Sequence, residues 1–60
     1  MKLGLLVRIM PTSKRASSWI GEYGITTKME GGEVNIRLMY RHTTLTHYTL
    51  WVEPRCLEII

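Results

Sequence analysis

The chain has a single cysteine, no aspartate, no run of five or more like charges and no repeat or low-complexity tract. Each absence removes a class of protein. With Cys56 alone, an intrachain disulfide is impossible, and a 60-residue core must hold together by packing, with at most about 3–5 kcal/mol to offer. The apolar run Leu3–Met10 is interrupted by Arg8 and falls far short of the ~20 residues of a membrane helix. No small-residue cleavage site follows it, so no targeting segment is expected. A lone free thiol fits a reducing compartment, which places the protein in the cytoplasm. No window carries capped apolar residues at helical spacing, so no long helix is expected.

What remains is a two-residue period. Leu3, Leu5, Val7 and Ile9 alternate with Gly4, Leu6, Arg8 and Met10, as in a strand, and Pro11 ends the ladder. Thr12–Ser18 is polar and basic and reads as a loop. A second strand is expected over Trp19–Glu30, bent at Gly21 and Gly24. Gly31-Gly32 is a two-residue hairpin signal, because both positions of a type I′ turn need positive φ. The third strand, Glu33–Arg41, sets Val34, Ile36, Leu38 and Tyr40 on one face and Asn35, Arg37, Met39 and Arg41 on the other. After a connection at His42–Thr46, a β-branched and aromatic fourth strand starts at Leu45 or His47 and runs to Val52. Pro54 then starts one tight turn, and Leu57–Ile60 form the last strand. The expectation is an all-β single domain over residues 1–60: a small five-stranded barrel with a short 3₁₀ turn before its last strand. Its hydrophobic fraction, 45%, is generous for so small a body, and self-association would cover the surplus.

Catalysis requires a titratable group, an orienting partner and a dry pocket. His42 and His47 flank a connection without a metal-ligand spacing, Ser13, Ser17 and Ser18 read as loop formers, and Cys56 reads as a small buried hydrophobe. No catalytic residue, metal, cofactor or small-molecule substrate is therefore expected, and a binding role is. Two candidate surfaces follow. Trp51 alternates with Leu50 and Val52, so an outward Trp51 near Met39, with Tyr48, would make a protein interface suited to a partner or a second copy. The net charge of +3 favours polyanions, and Lys14, Arg15, Lys28, Arg37 and Arg41, with Trp19 for base stacking, form a candidate nucleic-acid surface.

The closing segment Val52-Glu53-Pro54-Arg55-Cys56-Leu57-Glu58-Ile59-Ile60 resembles that of SH3-like barrels. The basic Thr12–Ser18 stands where signalling SH3 domains carry an acidic, aromatic peptide-binding segment, so proline-rich ligands are not expected. Gly21-Glu22-Tyr23-Gly24-Ile25, with Gly4–Ile9 and Leu57–Ile60, is similar to the short SH3-like or KOW-like proteins of bacteria and environmental phages. That resemblance implies a phage or bacterial source and a loop that meets RNA or protein. Leu50–Ile60 also resembles the end of the type II, plasmid-encoded dihydrofolate reductases, NADPH-dependent SH3-like protomers that tetramerise around a pore. Their Val-Gln-Ile-Tyr signature aligns with Thr49-Leu50-Trp51-Val52, where the glutamine and tyrosine are replaced by apolar residues. A tetrameric NADPH-dependent reductase is therefore only a remote third alternative. These resemblances point to a non-enzymatic interaction or assembly module, with nucleic-acid binding as the alternative.

Overall fold

The computed structural model describes residues 2–11, 17–41 and 43–60. It contains five strands, β1 (Leu6–Ile9), β2 (Tyr23–Glu30), β3 (Glu33–Tyr40), β4 (Thr44–Val52) and β5 (Leu57–Ile59). All pair antiparallel in one sheet of order β4-β3-β2-β1-β5, so β4 and β5 are its edges. A 3₁₀ turn over Pro54–Cys56 precedes β5, as the proline implies, and its cap closes with the Leu57 N–H donating to the Pro54 carbonyl. The all-β class, the five strands and this turn are those expected from the sequence. No helix is long and apolar enough to cross a membrane among the described residues.

Alternation builds the core. Val7 and Ile9 of β1, Val34, Ile36 and Leu38 of β3, and Val52 of β4 are buried together with Cys56 and Leu57, and Leu5 and Leu50 pack against them. Each fully buried aliphatic side chain contributes about 1.5–3 kcal/mol of transfer free energy. Val52 at the end of one edge strand and Leu57 at the start of the other share this cluster, so the sheet is coiled rather than flat.

Two register shifts supply the coiling. On β2 the pairing passes from Thr26↔Ile36 to Lys28↔Asn35, leaving Thr27 as an extra residue. On β4 it passes from Arg37↔Thr49 to Met39↔Leu45, so Thr46, His47 and Tyr48 stand opposite Leu38 alone. Thr46 ties this bulge internally: its hydroxyl donates to the Leu38 carbonyl at 2.9 Å and accepts the Tyr48 N–H at 3.1 Å.

The hairpin glycines, Gly31 at φ 59° and Gly32 at φ 80°, adopt the left-handed backbone expected of them. The other expected strand limits shift. The first strand begins at Leu6 because Gly4, at φ 77°, turns the chain, although Leu5 still bonds across to Thr26. The second begins at Tyr23, not Trp19. Residues 17–19 form a 3₁₀ turn, the Glu22 N–H donates to the Trp19 carbonyl at 2.9 Å, and Gly21 turns at φ 87°. The third ends at Tyr40, because Arg41 has φ 50°, and the fourth begins at Thr44. The Thr12–Ser18 loop falls mostly outside the described residues.

Candidate functional site

The outer face of β2, β3 and β4 carries a shallow saddle of about 390 Å³. Its floor is Asn35, a polar residue only 5% exposed. The extra residue of the β2 bulge explains how that polar group is tolerated. The Thr27 hydroxyl lies 2.8 Å from the Asn35 side-chain oxygen and 3.1 Å from its backbone carbonyl, donating into the pair. Lys28 lies opposite Asn35 on β2, and Trp51 lies opposite it on β4. Arg37, two residues along β3, completes the row, beside Thr49 and His47.

Arg37 is held firmly. Its Nε–H donates to the Thr46 carbonyl at 2.7 Å, and Nη2 donates to His47 Nδ1 at 3.2 Å. Arginine has only donors, so this second bond forms with Nδ1 unprotonated. Both partners are neutral acceptors, which orient the guanidinium without cancelling its charge. Among the described residues no carboxylate lines the saddle. Glu30 and Glu33 lie across Trp51 from it, in a separate cleft beside the hairpin.

A second groove, of about 350 Å³ and mostly apolar, runs along the far end of β3 and β4. Trp19, Leu38, Met39, Tyr40 and Tyr48 line it, with Glu22 at its rim. Tyr48 is 70% exposed because the β4 bulge turns it outward, and Leu45, paired with Met39, is also exposed.

The expected surfaces are therefore divided differently. Met39 and Tyr48 come together, but Trp51 sits with Asn35, four residues or about 13 Å along β3 from Met39. Lys28 and Arg37 come together in the saddle. Arg41 does not join them: its guanidinium lies 5.2 Å from the centroid of the Tyr40 ring at the other end of β3. Trp19 belongs to the apolar groove, and Lys14 and Arg15 lie outside the described residues, as does His42. Thr27, Asn35 and Thr49 were not singled out by sequence, and His47 was weighed there only as a metal ligand. Their one signal is the alternation of β3, which places Asn35 beside Arg37 on the outer face.

Cys56 is buried in the core, and among the described residues no three His, Cys, Asp or Glu side chains cluster as metal ligands. At the positions aligned with the reductase signature, Leu50 packs on the core and Val52 is part of it. Comparison with protein-family models, with curated proteins and with solved structures returned no match.

Proposed function

We propose that this domain is a non-enzymatic interaction module that associates with a second copy of itself through strand β4. The observation that carries this reading is the difference between the two sheet edges. Exposed edge strands offer unpaired N–H and C=O groups, and soluble proteins blunt them with charge, proline or shortness. Edge strand β5 has two of these: it spans only three residues and carries Glu58, in an ion pair with Arg8. Edge strand β4 runs for nine residues, Thr-Leu-Thr-His-Tyr-Thr-Leu-Trp-Val, without a lysine, arginine, acid, proline or glycine. Its bulge satisfies the Tyr48 N–H internally, but among the described residues no strand pairs with the outer side of the regular stretch 49–52, which leaves it a template.

Exposed apolar side chains reinforce the case. Leu45 and Tyr48 on β4 and Tyr40 on the neighbouring strand are 49%, 70% and 59% exposed, around the groove that Trp19 and Met39 line. Pairing two β4 strands would bury them while extending the sheet, the same physics as strand addition to a sheet edge. The SH3-like reading is supported by the strand order and the Pro54 turn. A small domain that supplies about 3–5 kcal/mol by itself gains stability from such an interface in proportion to its concentration.

Light scattering after size exclusion, across a range of protein concentrations, tests the reading. A mass that rises from one chain to two with concentration is expected, and Leu45→Lys/Tyr48→Lys, which places two charges on the strand, should hold it at one. A mass of one chain at every concentration rules the proposal out.

A further inference from the structure

We infer that the saddle on the outer face of β2, β3 and β4 binds a single-stranded nucleic acid, with its phosphates on Lys28 and Arg37 and a base stacked on Trp51. This site is separate from the apolar groove, and the inference stands whether or not the domain self-associates. Three features of the saddle carry it.

The first is charge complementarity. The protein carries a net charge of +3, and the saddle gathers two of its cations with no carboxylate in the lining among the described residues. Lys28 makes no ion pair among the described residues. The second is preorganisation. Two neutral acceptors fix the Arg37 guanidinium, which uses Nε–H and one Nη2 hydrogen and keeps three further donors for an anion. Thr27 fixes Asn35 through its side-chain oxygen, which leaves the Asn35 amide hydrogens as donors on the floor. The third is the aromatic. Trp51 is half-buried against the sheet beside these cations, and an indole face accepts any base.

The aromatic distinguishes nucleic acid from an acidic peptide. A carboxylate chain would use Lys28 and Arg37 but has no flat group to place on Trp51, whereas a nucleotide carries anion and ring together. The ligand's direction follows too. Glu30 lies on the other side of Trp51 and repels phosphate, so the backbone leaves Trp51 toward Arg37 and His47, not toward the hairpin.

The test is fluorescence anisotropy of a labelled oligothymidylate and a labelled oligouridylate against the whole chain, titrated at several salt concentrations. Binding at low salt that weakens linearly on a log–log plot is expected. Lys28→Gln should make the slope shallower by about 0.7, the contribution of one phosphate contact on a single strand. Trp51→Ala should weaken binding about tenfold or more, and Trp51→Phe, which keeps a ring, should restore most of it. Far-ultraviolet dichroism of each variant separates loss of binding from loss of fold. In nuclear magnetic resonance, the indole N–H of Trp51 should shift on titration while that of Trp19 stays in place. The inference is overturned by no binding at low salt, or by a slope that Lys28→Gln leaves unchanged. It is equally overturned if polyglutamate competes as well as the oligonucleotides do, or if the Trp19 resonance shifts in place of Trp51.

Discussion

Thr26 ties the chain ahead of β1 to the sheet, and its replacement gives a sharp test of the fold. Its side chain is almost wholly buried, at 1% exposure. The hydroxyl accepts the Leu5 N–H at 2.9 Å and donates to the Lys2 carbonyl at 3.1 Å. Around it, the Gly4 N–H donates to the Thr26 carbonyl and the Thr26 N–H to the Leu5 carbonyl, so residues 2–5 depend on this one position of β2. Thr26→Val keeps the shape and removes both side-chain bonds. A neutral hydrogen bond contributes about 1 kcal/mol net, and a stranded backbone amide adds about 1–3 kcal/mol when buried. Leu5 is only partly buried, so the lower part of that range applies and the total is about 2–3 kcal/mol. For a domain stabilised by about 3–5 kcal/mol, that is half or more of what holds it folded. Thr26→Ser keeps the hydroxyl and loses one buried methyl, at a cost of about 1 kcal/mol. With a urea dependence near the low end for small proteins, about 1 kcal/mol per molar, the unfolding midpoint should fall by about 2–3 M for valine and about 1 M for serine. Both should be measured at one fixed, low protein concentration, since association shifts the midpoint. A valine variant as stable as the serine variant would refute the reasoning, because packing would then outweigh the hydroxyl.

Further expectations concern other parts of the molecule. Gly24→Ala should destabilise by about 1–3 kcal/mol in the same urea assay, because an added Cβ would meet the Arg37 carbonyl oxygen at 2.9 Å, and backbone on both strands must shift. Arg8→Ala should change the midpoint little, by less than about 1 kcal/mol, since both partners of the Arg8–Glu58 pair are well exposed. Cys56 should react with a thiol reagent only as fast as the domain opens, so its labelling rate should rise in parallel with unfolding on adding urea. A thiol that reacts at the rate of a free peptide in native buffer would show that the core around Val52 and Leu57 is not formed.

The parts of the fold set by local chemistry were legible in the sequence. Gly31-Gly32 dictates its own turn, Pro54 dictates the 3₁₀ turn, and the alternation of β3 places Val34, Ile36 and Leu38 in the core, although Tyr40, expected on the same face, is exposed. The bulges were not legible. Whether Thr27 is extra depends on its pairing across to β3, and no single-strand period encodes that. The same holds for Thr46, His47 and Tyr48, where three residues oppose Leu38. That second bulge decides the candidate sites: it brings His47 to Arg37 and turns Tyr48 outward, so alternation counted back from Trp51 fails beyond Thr49. Trp19 was expected to open a strand that only bends at Gly21, yet Gly21, at φ 87°, turns the chain and the strand begins after it. Lys28 and Arg37 were identified among the cations. Alternation along β3 places Asn35 beside Arg37, but the company of Lys28, Thr49 and Trp51 follows only from register.

Amide hydrogen exchange, resolved by residue and run at a low and a high protein concentration, reads both sheet edges at once. If copies pair through β4, the outward amides of the stretch 49–52 gain protection as concentration rises, while those of Leu57–Ile59 exchange at the same rate throughout. Protection that does not change along β4, or that grows along β5 in its place, would contradict association through the uncharged edge.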